Sequence, residues 1–547
     1  MDTITQFLNG FLLALLFIPV FLYAEIHFRF PFLPSRLFKK EPEIVFDMPR
    51  RGRLGKSIPL FLFVKDADRF PAFLQKITVE IIPQNGAEIP HFELHLNQRE
   101  STAFRSQTFW IKPEYFPASG NYRLKADLLF RNSAGRLKRI SQDNYRGIPH
   151  PPFAIHIAEE ALPAGEGWVW GDLHTHSHYT SDQVEFGAPP LQTVQAARCQ
   201  GLDFVAVTDH SYDLDDLPYN YLKNDPALSK WHQFQAEMRL TRRQVPEVIL
   251  LAGEEVSAGN ARGKNVHCLI LNDPQFHPGS GDSAERLFHR KPDLSIAELL
   301  QRKNGAAVAI AAHPFEQPPL SQRLVLNRGI WEKKDISLQD LHALQILNGQ
   351  VDSAFQQGKS IWISRLLQGV RIGIAAGTDS HGNFNCFRQI NIPFWSMKYH
   401  HRQLLGSSRT AVFSREPNAA AILESLRNHR TIISTGPFLQ IQLKSKSQIS
   451  VIGDVHPAGE SDELWIEGKS LPEFGDWQEI KIFYGIRDQG EEKEFPLPPA
   501  AGELNFSRTI KFGQPGADYI RAEGLTKKDQ QEFICLTNPI WIKHFAI

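Results

Sequence analysis

Apolar and polar positions follow two different rhythms along this chain. Between residue 50 and about residue 160 the apolar runs are strand-length: Ile58–Val64, Ile77–Ile82, His91–Leu96 and Tyr122–Phe130. Several alternate apolar with polar, and Gly, Pro, Asn and Asp punctuate them. Strands at that spacing, with no helical period between them, predict a β-sandwich-like domain over residues 50–162. The basic stretch Arg131–Arg139 reads as a solvated hairpin within it.

From about residue 165 the pattern changes. Asp203–Thr208, Val248–Ala252, Val266–Leu271, Ala306–Ala312, Ala343–Leu347 and Ile372–Ala376 are short apolar runs of the kind that form buried strands. Pro189–Gln200, Leu294–Gln301 and Ala354–Leu367 read as helices between some of them, the first opened by proline and stopped by Gly201. Repeated strand–helix units predict an α/β fold with a parallel sheet closing into a barrel over 165–435. Strict alternation returns at Phe438–Leu443, with shorter runs at Leu464–Glu467, Glu479–Phe483 and Trp541–Lys543. These predict a second β-rich, sandwich-like domain over 436–547.

The N-terminus adds a different element. Phe7–Ala24 is nearly unbroken apolar sequence, at the lower edge of the length that spans a bilayer. No Lys or Arg precedes it, which argues against a secretory signal. Arg29, Arg36, Lys39 and Lys40 follow, and by the positive-inside tendency they place the rest of the protein in the cytoplasm. The expectation is a membrane anchor over 1–27 and a linker over 28–49, with an exported protein as the alternative.

Composition narrows the partners. The chain has 547 residues, enough for two to four domains, and balances 60 basic against 60 acidic side chains, so no global field recruits nucleic acid. Cys199, Cys268, Cys386 and Cys535 are widely separated and form no CxxC pair; they read as small buried hydrophobes.

The chemistry starts at Trp168–Asp182, an apolar strand that ends in His174, His176, His178 and Asp182. His174 and His176 are two apart and share one side of a strand, where both can hold one ion. The other apolar runs end similarly, in Asp209-His210, Glu254-Glu255, His313-Pro314 and Asp379-Ser-His381, and His267 lies inside a fourth run. Singly, each has a plain structural explanation: a helix cap, a solvated pair, a turn residue, a core histidine. Together, at strand ends where barrel enzymes place their chemistry, they describe a metal site. Imidazoles and carboxylates without thiolates suit zinc, manganese or iron, and the ligands are enough for two or three ions.

Five motifs carry a resemblance: Gly171-Asp-Leu-His-Thr-His176, Val207-Thr-Asp-His210, Gly253-Glu-Glu-Val-Ser257, Ala312-His-Pro314 and Gly377-Thr-Asp-Ser-His381. In this order they resemble the polymerase and histidinol phosphatase (PHP) superfamily of metal-dependent hydrolases, over about half the chain. The resemblance implies a distorted (βα)7 TIM-like barrel with a trinuclear site. By position, His174, His176, Glu255 and Asp379 hold the first ion, and Asp182, His210 and His381 the second. Glu255 then bridges to a third ion bound also by His267 and His313; it is preferred to Glu254 because the family's glutamate stands two residues after the glycine. Arg409–Phe413, Ala419–Asn428 and Arg430–Pro437 resemble the narrower carbaryl-hydrolase-like branch. One departure is Gln345-Ile-Leu-Asn348, where an acidic residue is expected before the asparagine.

The expected activity is hydrolysis by metal-activated water, with a small-molecule phosphoester as substrate and Asp209 or His381 moving protons. Arg262 and Lys264 are candidate phosphate contacts, or equally a solvated loop. Alternatives are a hydrolase of carboxylic or carbamate esters or amides, and a membrane-tethered binding or scaffold protein with a non-catalytic metal site.

Overall fold

A computed structural model describes residues 41–83, 90–145, 148–180, 187–218, 220–283, 290–392, 396–446, 448–459, 462–497, 502–514 and 516–544. Phe7–Ala24 lies outside these residues. Among the described residues no helix is long and apolar enough to cross a membrane. The expected membrane anchoring, with its cytoplasm-facing orientation, is therefore unsupported and is set aside.

The N-terminal region is a sandwich of two sheets. Glu43–Asp47, Ile58–Lys65 and Phe104–Ile111 pair antiparallel in one. The other is ordered Arg51–Arg53, Phe153–Ala158, Gly120–Arg131, Ala72–Pro83, His91–Glu100, with Leu137–Ser141 hairpinned onto Gly120–Arg131. Ile58–Lys65 is buried along almost its whole length because both of its faces are used. Leu60, Leu62 and Val64 enter the sandwich core, whereas Phe61 and Phe63 join the core beneath the site-bearing sheet. One strand thus docks two regions, and each fully buried phenylalanine contributes roughly 1.5–3 kcal/mol of apolar transfer.

The site-bearing sheet contains β1 (Trp168–His176), β2 (Phe204–His210), β3 (Ile249–Gly259), β4 (Asn265–Leu271), β5 (Val308–Ala311), β6 (Ala343–Asn348), β7 (Gly373–Gly377), β8 (Ser380–His381), β9 (Arg409–Phe413) and β10 (Thr431–Ser434). Its strands lie in the order β7-β6-β5-β4-β3-β2-β1-β9-β10. The expected (βα)7 TIM-like barrel is not what they build. β1–β2, β2–β3, β5–β6 and β6–β7 are parallel, but β3–β4, β4–β5, β1–β9 and β9–β10 are antiparallel.

The reason is local. Only residues 260–264 separate β3 from β4, too few for the crossover of a dozen or so residues that parallel strands need. They form a tight turn instead: Gly263 takes a left-handed φ of 67°, and Asn260 Oδ1 accepts the backbone N–H groups of Arg262 and Lys264. The helices are correspondingly few. Pro190–Gln200 is one of them and ends where the sequence predicts, at Gly201 with φ 86°.

The result is a large curled, mixed sheet. After β7 the chain folds back so that β8 pairs in parallel with β1, placing Thr175 opposite Ser380 and His176 opposite His381. Asp379 N–H donates to His174 O at 2.8 Å. Gly377 permits this approach, since a Cβ there would stand 2.7 Å from His174 Cβ.

Beyond β10 the same sheet continues through Gln531–Thr537, Tyr519–Lys528, Asp476–Gly485 and Lys493–Phe495. A second sheet of Ile449–Val451, Phe438–Lys444, Glu463–Lys469 and Asn505–Lys511 covers this extension. Leu439, Ile441 and Ile466 pack there with Trp477, Ile482 and Ile520, in the core that also holds Trp168 and Trp170 of β1.

Candidate metal centre

The end of β1, the middle of β3, β8 and the turn before β8 converge on one buried cluster. His174 Nε2 and His176 Nε2 are 3.1 Å apart. Both stand close to Glu255 Oε2, at 3.4 and 3.3 Å, and to Asp379 Oδ1, at 3.4 and 3.1 Å. These four residues form one group that could hold a metal ion. A second group joins His176, His210 and His381, and a third His210, Glu255 and His267. His313 Nε2 lies 3.0 Å from Glu255 Oε1, beside His267 Nδ1 at 2.7 Å from the same oxygen.

Strand alternation settles which glutamate belongs here. Glu255 is central to the cluster, while its neighbour Glu254 points away and accepts the backbone N–H of His277 at 3.1 Å. Burial raises the Glu254 carboxyl well above the ordinary carboxylate range.

The donor set fits cations. Burial alone would depress the imidazoles of His174, His176 and His267. The Glu255 and Asp379 carboxylates outweigh it at His174 and His176, as Glu255 and Asp282 do at His267, and all three rings rise to about 9. Burial works against ionised Glu255 too, yet His267, His174 and His210 hold it well below the usual range. His210 instead falls to about 3, by burial and the neighbouring His176. His210 Nδ1 and Glu255 Oε2, 3.0 Å apart, are both buried without a hydrogen-bond partner. Buried polar atoms left so are rare, and a bound ion satisfies both.

Neighbouring side chains orient the candidate ligands, among them Asp282 and Gln403, which the sequence reading passed over. Gln345 Oε1 is 2.8 Å from His174 Nδ1, and Gln345 Nε2 donates to Asn348 Oδ1 at 2.9 Å. A carbonyl oxygen thus stands where an acidic partner was expected. Asp282 Oδ2 is 2.9 Å from His267 Nε2 and also meets Arg328 Nε at 3.4 Å. Ser257 Oγ donates to the other Asp282 oxygen. Gln403 Nε2 donates to Asp379 Oδ2 at 2.9 Å. Asp379 and His313 themselves have left-handed backbones, φ 53° and 28°, strain of a kind concentrated at functional sites.

The remaining candidates fall elsewhere. Asp182 lies outside the described residues. Asp209 accepts four hydrogen bonds, from the backbone N–H and hydroxyl groups of Ser177 and Thr180. It fixes the turn after β1. Arg262 pairs with Glu332 at 3.2 Å and Lys264 bonds Asn327 at 2.7 Å, both on the exposed β3–β4 turn. They do not reach the cluster. The guanidinium beside it is that of Arg328, whose Nη2 is 3.4 Å from His267 Nδ1. Its loop position offered no periodic signal.

No protein-family model matches the chain, and no curated protein matches it. Two solved structures overlap it weakly. A β-glucuronidase from Parabacteroides merdae, with glycerol in its active site, is 13% identical with a TM-score of 0.17, over 92% of this chain and 64% of its own. A cycloisomaltooligosaccharide glucanotransferase from Paenibacillus sp., complexed with cycloisomaltoheptaose, is 10% identical with a TM-score of 0.18, over 91% of this chain and 70% of its own. Overlaps this slight carry nothing about fold or chemistry.

Proposed function

We propose that the protein is a metal-dependent hydrolase of phosphoesters, as its five motifs resembling the PHP superfamily imply. The observation that carries this reading is the sharing of Glu255: one carboxylate faces His174, His176 and His210 with one oxygen and His267 and His313 with the other. A carboxylate so surrounded suits neighbouring divalent ions, and two or three ions of zinc, manganese or iron fit the donors. When bound, such ions acidify water and take up charge on substrate oxygens.

The chain's own groups do the rest. His381 Nδ1 faces the Asp379 carbonyl oxygen at 3.0 Å and donates to it. That fixes the neutral ring's lone pair on Nε2, which can take an ion or a proton. Arg328 lies beside residues that gather cations, where a guanidinium is favourable when an anion sits between. Asp282, 3.4 Å from Arg328 Nε, already supplies one such anion; a phosphoryl group would be a second, and Arg328 takes the place of Arg262 and Lys264 as the candidate phosphate contact.

The test is turnover of a chromogenic phosphate monoester, a phosphate diester and an aryl carboxylic ester by manganese- or zinc-loaded protein, with Asp379→Ala as control. Phosphoester cleavage that vanishes in the control supports the reading. Cleavage of the carboxylic ester alone replaces it with a carboxylesterase.

A further inference from the structure

We propose that Asp47, in the N-terminal sandwich, is a positioning residue for the metal ligand His381. This rests on the metal-centre reading. Asp47 is almost fully buried, and its two oxygens accept the backbone N–H groups of Phe384 at 3.1 Å and Asn385 at 3.0 Å, as well as its neighbour's, Met48, at 2.8 Å. Phe384 and Asn385 stand three and four residues past His381. The intervening turn is stiff. Gly187 N–H donates to the His381 carbonyl, and Ser380 Oγ donates to Asn383 O at 2.9 Å. Gly382 has φ 69° and so little room that a Cβ would stand 2.1 Å from Ala188 N. A displacement at Phe384 is carried to His381 and not absorbed.

Further contacts bind the same loop to the sandwich. Asn385 reads the Ala154 backbone twice, accepting from its N–H at 3.2 Å and donating to its carbonyl at 2.8 Å. Arg388 pairs with Asp143 at 2.6 Å, both buried, and Phe384 packs on Phe61 at 5.2 Å between ring centroids. Burial raises Asp47 to about 6 against the pull of Arg388 and three backbone N–H groups. A carboxylate held at that cost, with its oxygens committed to the segment beside a metal ligand, is a bracket for the site. The sandwich is thereby part of the metal centre.

The experiment measures Mn2+ affinity and stoichiometry of the full chain by chelator competition, for the unsubstituted protein, Asp47→Ala, His381→Ala and the double variant. Thermal melts in EDTA check folding, and Asp47→Asn, which keeps the volume, stands in if the alanine variant does not fold. The expected result is at least tenfold weaker binding of one ion in Asp47→Ala, with the double variant no weaker than His381→Ala. Unchanged affinity in Asp47→Ala and Asp47→Asn overturns the proposal, as does a fully additive double variant. If the unsubstituted protein takes up no Mn2+, the metal-centre reading fails first and the proposal with it. If His381→Ala weakens binding and Asp47→Ala does not, only the positioning role fails.

Discussion

Asp282 faces His267 Nε2 at 2.9 Å, and this contact turns the other ring nitrogen, Nδ1, onto Glu255. The carboxylate accepts the Nε2 proton, so Nδ1 carries the lone pair in the neutral ring. Metal-binding histidines are commonly fixed in this way, and removing the partner typically weakens metal binding 10- to 100-fold. Asp282→Asn is therefore expected to weaken one ion by about tenfold or more, read by chelator competition. Wild-type affinity in this variant would remove Asp282 from the ligand-orienting role.

Adjacent glutamates should behave oppositely. Glu254 points away from the cluster and accepts the His277 backbone N–H, so Glu254→Gln keeps its shape and that acceptor, and metal content should stay at the level of the unsubstituted protein. Glu255→Gln removes the shared carboxylate and should lose most of the bound metal. Elemental analysis of the two purified variants decides it; equal metal content would contradict the assignment.

Metal uptake should expel protons. With no ion bound, His174, His176 and His267 rise to about 9, so near neutrality they share protons with Glu255 and Asp379. An ion can bind only by displacing those protons, and apparent affinity therefore increases with pH until about 9. Titration calorimetry in two buffers of different ionisation enthalpy measures the release. A heat independent of buffer would count against protonated ligands.

Acid should destabilise the fold through a separate pair. Burial lowers His342 and His429 to about 4, with Lys303 acting further on the first and Arg371 on the second. A free imidazole titrates near 6.5. Between those values the unfolded chain binds more protons than the folded one. This contribution to stability is complete above pH 6.5 and is lost as the pH falls toward 4. His342→Asn with His429→Asn should flatten that limb of the melting-temperature profile. An unchanged slope would assign it to other groups.

Arg521 is fully buried between Glu492 and Glu523, over the rings of Trp362 at 5.3 Å and Phe483 at 4.7 Å. Arg521→Met leaves Glu492 without a counter-charge and Glu523 with Lys359 alone, at 2.9 Å, a loss of about 3–5 kcal/mol in denaturant unfolding. Adding Glu492→Gln should recover part of it. A small effect in the single variant would mean that solvent reaches the pair.

The ligand set was legible where chemistry follows local period. His174 and His176 stand on one strand face, and the Asp379–His381 turn follows an apolar run. The supporting residues were not, because Asp282, Arg328 and Gln403 reach the site from irregular loops far along the chain. The barrel expectation failed at one place of general interest. Val248–Ala252 and Val266–Leu271 both read as buried strands, and apolar runs alone do not give direction. The length of the connection does: only residues 260–264 join the two strands. The tail misled differently: Phe438–Leu443 announced strands, but not that Gln531–Thr537 would extend the ladder of β10, with Ile433 opposite Leu536.

That shared ladder has a consequence for anyone trimming the protein. Ending the chain at residue 435 would strip β10 of its neighbour and leave a raw strand edge inviting self-association. The same cut would bare the apolar surface now common to Trp168, Trp170 and Ile441. The candidate metal centre and the tail are expected to melt in one step, so the smallest stable unit extends to Ile540–Lys543.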